Sequence, residues 1–137
     1  LLEFTGERVI PGLVDPDLLN EHVARYRFAA RYAQHAQVLD AGCGSGYGTA
    51  ELASAATIVG IDISADAVAH ARRAFSRPAV HFIQGACQSL PFADASFDLL
   101  VAFEVIEHLE RWRQMLAEAH RVLRTSGVLL VSTPNKA

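Results

Sequence analysis

The chain has only two cysteines, a single tryptophan, a single methionine and no excess of positive charge. Each scarcity excludes something. Cys43 and Cys87 cannot form the disulfide framework of a small secreted scaffold; they read as two free thiols in a reducing compartment, so a cytoplasmic location is expected. The formal net charge is −3, with no basic stripe, so the electrostatic footprint of a nucleic-acid binder is missing. No apolar run approaches the roughly 20 residues needed to span a bilayer, and no membrane partner is expected. The opening "LLEFTGERVIPG" lacks the basic-then-apolar layout of a signal peptide. It also lacks methionine, which suits a piece of a longer protein. Repeats and low-complexity segments are absent too.

What is present is the core of one domain, spanning 1–137. Half of the residues are apolar and a fifth are charged, the balance of an ordinary globular core. Residues 1–20, with Gly6, Pro11, Gly12 and Pro16, read as an irregular lead-in. Asn20 is positioned to cap a helix from Glu21 to His35, in which Val23, Tyr26, Ala30 and Ala33 recur at helical spacing. The short apolar burst "AQVLDAG" then suits a buried parallel strand. Alternation follows: a helix over Tyr47–Ala55, the strand "TIVGIDI", and the helix "ADAVAHARRAF". Ser64 is the expected N-cap of that last helix, with Asp66 near its positive end. Pro78 ends it. The strand "AVHFIQG", the loop "ACQSLPFADAS" and the strand "FDLLVAFEV" come next. A helix over Glu110–Leu123 is expected to close at "RTSG", with Gly127 just past its end, before the last strand "VLLVSTP". Unbroken Val/Ile/Leu strands alternating with helices predict a doubly wound α/β fold, a mostly parallel sheet covered on both faces. In such sheets a ligand sits beyond the carboxyl ends of the strands.

The stretch "VLDAGCGSGYGT" ends the first strand with Gly42, Gly44, Gly46 and Gly48 within seven residues. So much glycine costs helix and strand stability, which implies that something comes close to this backbone. A dinucleotide fingerprint G-x-G-x-x-G needs glycine at position 47, and Tyr47 stands there. A phosphate loop of the G-x-x-x-x-G-K kind fails because no lysine follows. A glycine turn that merely packs a helix on a strand is the plain structural alternative. Asp40 precedes the loop; a carboxylate there repels a pyrophosphate and suits an ammonium or sulfonium. Asp62 closes the second strand, 20 residues after Gly42, where an acid can accept hydrogen bonds from a ribose diol or, more simply, cap a helix. Together the two acids describe a nucleoside with a cationic tail and no phosphates.

At this point the chain resembles the class I S-adenosylmethionine-dependent methyltransferases, in the small-molecule subgroup called type 11. "VLDAGCGSGYGT" is similar to their first motif and "GIDIS" to their acidic second motif. "FIQGACQSLPFADASFDLLVAFEVIEHL" is similar to their third and fourth strands, and "HRVLRTSGVLLVSTPN" to the final helix and fifth strand. The resemblance covers Val38 to Asn135. It implies a Rossmann-like three-layer sandwich of strand order 3-2-1-4-5, without the antiparallel strands 6 and 7 that usually follow. It implies S-adenosylmethionine as cofactor and S-adenosylhomocysteine as product. Ala41, Gly42, Cys43, Gly44 and Gly46 would admit the amino-acid part and ribose of the cofactor. Asp40 would lie near its amino group, Asp62 on the ribose and Ile63 on the adenine. Where the family carries Gly-Asp after the third strand, this chain has Ala86. The backbone of Ala86 and Cys87, with Gln88 as acceptor, would then read the adenine edge. Phe103 and Glu104 would end the fourth strand near the methyl group. The opening "FTGERVIPG" with "EHVARYRFA" is similar to methyltransferase domains of sugar-modifying gene products. That makes Tyr26 a neighbour of the cofactor's carboxylate end and Arg8 a lid residue.

"EVIEHL" raises a separate question. Glu104, Glu107 and His108 could bind a divalent cation, though no metal is assigned. His108, with Glu104, could serve instead as general base for an acceptor hydroxyl. In the third reading the two acids favour the start of the next helix and His108 packs under the loop. Cys43 reads as a small buried filler with no base beside it. The expected activity is methyl transfer to an oxygen or nitrogen of a small-molecule acceptor, sugar-related on the softer resemblance. The rivals are a nicotinamide oxidoreductase, disfavoured by Tyr47, and a nucleoside-binding module without catalysis. A fifth strand at the sheet's edge is an association hazard. Either the chain continues or a second copy or partner covers that edge.

Overall fold

A computed structural model describes residues 16–133. Helix α1 (Pro16–Ala33) leads into strand β1 (Gln37–Ala41), then α2 (Tyr47–Ala50), β2 (Thr57–Asp62), α3 (Ala65–Phe75), β3 (Val80–Gln84), β4 (Phe97–Phe103), α4 (Trp112–Val122) and β5 (Leu123–Ser132). The sheet has the order β3-β2-β1-β4-β5, and every pairing is parallel. This is the expected doubly wound arrangement.

Because successive side chains of a strand point to opposite faces, the strands feed two cores. Val38, Leu99, Val101 and Phe103 join α1 and α3 through Tyr26, Ala29, Ala33, Val68 and Ala71. Leu39, Ala41, Leu100 and Ala102 join α4 and the β3–β4 loop through Met115, Ala119, Val122 and Leu90. A fully buried leucine of this kind contributes about 1.5–3 kcal/mol, and Leu39 and Leu100 are both wholly inaccessible. The two cores make the three layers.

Helix α3 follows the sequence closely. Ser64 caps it, its Oγ accepting from the Ala67 amide at 3.2 Å. Asp66 lies in the first turn and Arg72 and Arg73 in the last, each charge favourable to the helix dipole. Arg72 also donates to the Phe82 carbonyl at 2.9 Å, pinning α3 to β3.

Three expectations are corrected. Residues 16–20 are helical, so Asn20 lies inside α1 and caps nothing; Pro16, whose fixed φ suits a first turn, opens the helix. Helix α2 ends at Ala50 and not at Ala55. Beyond it Glu51 and Leu52 bond three residues back, to Gly48 and Thr49, and these tighter turns deliver Ala56 to the Ala36 carbonyl and the chain to β2. Finally, "RTSG" does not close a helix. Leu123 already pairs with Phe97, while Val128 pairs with Leu99, so 124–127 bulge out of β5. Gly127 serves that bulge: a Cβ there would sit 2.8 Å from the Arg124 carbonyl oxygen.

Candidate functional site

The carboxyl ends of β1, β2 and β4 face one rim of the sheet, and the glycine turn lies across it. Gly42, Gly44 and Gly46 all have positive φ, which side-chain-bearing residues rarely adopt. Gly42 is doubly constrained, because a Cβ on it would overlap Val105. The amides of Gly42 and Cys43 donate to the Ile61 carbonyl at 2.7 and 3.0 Å. The Gly44 amide donates to Asp62 Oδ2 at 2.9 Å. The turn is thereby tied to the end of β2.

Asp62 receives a second amide, that of Ser64, on Oδ1 at 2.9 Å. Each carboxylate oxygen has two acceptor positions, so each can take one further donor. The residue is half-buried. Next to it Ile63 is 68% exposed, the most exposed of the large apolar side chains described. An acid with acceptor capacity beside a bare apolar side chain offers a sugar hydroxyl and a flat ring what each requires.

Asp40 is placed differently. It is wholly buried, and its two oxygens accept from Tyr26 Oη at 3.1 Å and Thr49 Oγ1 at 2.7 Å. Burial pushes its carboxyl up to about 7, partly opposed by the hydrogen bonds of Thr49 and Tyr26 and reinforced by the charge of Asp62. Burial likewise raises the Tyr26 phenol, and the Asp40 charge adds to it. Asp40 thus joins α1, β1 and α2 beneath the turn. The ring of Tyr26 fills the space left by Gly48 and meets Phe103 edge-on, centroids 5.0 Å apart.

Ala86 and Gln88 are half-buried on the loop after β3, and Cys87 is buried between them. Burial, with the charges of Asp62 and Asp40, pushes the Cys87 thiol to about 11, against a favourable contact with the Gly42 amide. The same causes, with burial largest, raise the Cys43 thiol. Both thiols are protonated and unreactive at neutral pH.

The structure does not bring Glu104, Glu107 and His108 together. Glu107 and His108 are exposed and face each other at 3.6 Å; His108 does not pack under the loop. Glu104 turns the other way and pairs with Arg25 of α1 at 3.1 Å. No group of three or more His, Cys, Asp or Glu side chains suited to a metal occurs among the described residues. Arg8 lies outside the described residues.

Sequence reading gave no binding role to five residues that the fold gathers here: His22, Arg25, Tyr47, Thr49 and Ser132. The ring of His22 lies 5.5 Å from that of Tyr26 and 5.6 Å from that of Tyr47. Burial lowers the His22 pKa below its usual value; Glu104 opposes the shift and Arg25 adds to it. Burial raises the Tyr47 phenol, reinforced by Asp40 and Glu104. The available signal was H-x-x-R-Y in "EHVARY", whose members at i, i+3 and i+4 share one face of a helix.

A family model described as a methyltransferase domain matches residues 39–131. The chain belongs to the class I S-adenosylmethionine-dependent methyltransferases. It is 43% identical, over 98% of its own length and 52% of the relative's, to a probable S-adenosylmethionine-dependent methyltransferase of Mycolicibacterium smegmatis. It is 35% identical to a fatty-acid O-methyltransferase of the same organism, over 86% of this chain and 45% of that one. The chain therefore spans about half the length of these relatives. Among solved structures, the PH0226 protein of Pyrococcus horikoshii superposes with a TM-score of 0.76 at 29% identity, covering 94% of this chain and 66% of the other. No helix among the described residues is long and apolar enough to cross a membrane.

Proposed function

We propose that this chain is the cofactor-binding part of an enzyme that methylates an oxygen or nitrogen of a small-molecule acceptor. The carrying observation is Asp62: half-buried, tied to the glycine turn, still able to accept two donors, and flanked by exposed Ile63. S-adenosylmethionine, the cofactor of the family, supplies a methyl group already activated on a sulfonium.

The chain's own residues then have few tasks. Asp62 accepts the ribose hydroxyls. Ile63 covers one face of the adenine, and the backbone of Ala86 and Cys87 with the Gln88 side chain reads its edge. The turn over Ala41–Gly46 admits the amino-acid portion. Asp40 acts from beneath, holding Tyr26 and Thr49 in place and contributing negative potential near a cation. Phe103 and Glu104 bound the space beyond β4 where the acceptor approaches. Orientation of acceptor, carbon and sulfur in near-attack geometry supplies roughly 7–11 kcal/mol of barrier reduction. His108 is exposed, and it takes the acceptor's proton when that acceptor is a hydroxyl. The fatty-acid O-methyltransferase relative favours an oxygen acceptor; the sugar-related class rests on the opening segment alone.

Calorimetry with S-adenosylhomocysteine tests this reading. Micromolar binding is expected, weakened by about tenfold or more in Asp62→Ala, with NAD silent. Asp62→Asn, which keeps one acceptor oxygen for the turn, controls for folding. Equal affinity in wild type and both variants would remove the ribose role of Asp62.

A further inference from the structure

Residues 50–56, just past the glycine turn, include Ala50, Ala53, Ala55 and Ala56. Helix α2 stops at Ala50, and the tighter turns beyond it send Leu52 wholly into the core. Ala50, Ala53 and Ala55 are left lining the space toward Phe75 of α3, and a methyl group is too short to fill it. A cleft of about 180 Å³ remains. Its floor is buried: Thr49, with Ile58 and Val80, which are register partners at the amino ends of β2 and β3. Phe75 forms a wall, and Ala53, Arg77 and Pro78 stand exposed at the mouth. Asp62 and the glycine turn lie at the opposite, carboxyl end of the strands, so the cleft is a separate place in the fold.

Size and charge define what fits. An apolar cavity of about 150 Å³ takes up benzene, so this cleft holds an apolar body of about six heavy atoms. Drug-sized ligands need roughly 300–1,000 Å³, which excludes a nucleoside here. Arg77 is the only charged residue that lines the cleft. Its guanidinium has no ion pair or hydrogen bond among the described residues. Glu51, the acid beside the alanine turns, is held by Arg27 at 3.7 Å. The polar side chain of the floor, Thr49, already donates to Asp40 at 2.7 Å and demands no polar ligand. A lone cation at the mouth of an apolar hollow complements an amphiphilic anion, and a guanidinium matches a carboxylate in geometry as well as charge. We propose that this cleft binds a small monocarboxylic acid, its compact apolar body between the alanine turns and Phe75 and its carboxylate on Arg77. The inference does not depend on the function proposed above. Two contacts tie the cleft to the glycine turn: Thr49 through Asp40, and Phe75, whose ring would lie 3.1 Å from a Cβ on Gly46. A bound acid therefore packs against side chains that support the turn from below, and it leaves the crest free.

Benzoate is the probe, benzyl alcohol its neutral counterpart, and amide shift mapping by NMR on the whole chain the readout. Benzoate is expected to bind with a Kd of about 1 mM or tighter. The shifts should centre on Ala53, Ile58, Phe75 and Val80, and they should still saturate with S-adenosylhomocysteine in excess. Arg77→Gln, a change at an exposed side chain, should weaken benzoate by about tenfold and leave benzyl alcohol unchanged. Ala53→Trp, which fills the mouth with an indole, should abolish both, with melting curves to certify folding; if it unfolds, the Arg77→Gln titrations decide alone. Shifts confined to the crest, or lost when S-adenosylhomocysteine is added, would put benzoate at the rim and overturn the proposal. Equal benzoate affinity in wild type and Arg77→Gln would refute the carboxylate class. No saturable shift at the cleft would mean that the protein's own chain closes it, and the site would be refuted.

Discussion

Two arginine–glutamate clusters of similar exposure lie in this domain. Arg121 and Glu118 on α4 have side chains 33% and 20% exposed; Arg25 and Glu104 have 29% and 27%. Their bonding differs completely. Arg121 donates through Nε to Glu118, through Nη1 to the Phe92 carbonyl and Asp94, and through Nη2 to the Leu90 carbonyl and Glu118. That employs the full donor set of a guanidinium. Glu118 also accepts the Leu90 amide at 2.8 Å. The cluster clasps the β3–β4 loop to α4 and so holds Ala86, Cys87 and Gln88 at the rim. Arg25, by contrast, has a nitrogen unpaired and neighbours that are unpaired too. A satisfied polar cluster belongs to the framework, whereas the framework alone does not account for an unsatisfied one. Asp40, buried and doubly bonded, falls with the framework despite its position in the first motif.

The largest test of that division is electrostatic. The folded-state pKa of Asp40 is raised from 3.8 to about 7. Its stabilising contribution is therefore complete below about pH 4 and is lost as pH rises through 7. Asp40→Asn should gain stability relative to wild type between pH 4 and pH 8, by an amount on the order of a few kcal/mol. Denaturant titrations across that range measure the difference; a constant difference would deny that Asp40 is strained by burial. Next in size, Thr49→Val removes one of the two donors to Asp40 and should cost about 1.5–3 kcal/mol at pH 8. Urea unfolding reads it, and a neutral result would place Thr49 outside the framework. The smallest effect sharpens the contrast most. Arg121→Met should lower the melting temperature by roughly 5 °C, with little loss of affinity once folded at low temperature. Arg25→Met should leave the melting temperature within about 1 °C. Equal losses in the two variants would erase the distinction between clusters.

Much of the fold was legible because parallel strands, buried on both faces, are written as apolar runs, and because Ser64 and Asp66 mark a helix start by local chemistry. The errors fell where local signals compete. Asn20 looked like a cap, but Pro16 starts the helix four residues earlier. Gly127 looked like a helix end, but pairing with Phe97 draws Leu123 straight into the sheet. At the rim, the positions of Asp62, Ile63 and the glycine turn were legible because each sits at a strand end within a short motif. His22, Arg25, Tyr47 and Ser132 were not, since more than a hundred residues separate the first from the last and none carries a motif alone. Glu104 was read with Glu107 and His108 because they adjoin in sequence, and its left-handed backbone sent it to Arg25 instead.

The order of apolar runs, the glycines and the acids at strand ends thus determine by themselves that this is a parallel sheet in a three-layer fold, with a glycine turn and an acid at its crest. Those features are local, encoded by side-chain period and backbone freedom. Which polar groups finish with partners was decided only in three dimensions. Hydrogen bonds at the rim join α1, the start of α2 and the ends of β4 and β5, and no local pattern along the chain records whether a donor there will find an acceptor.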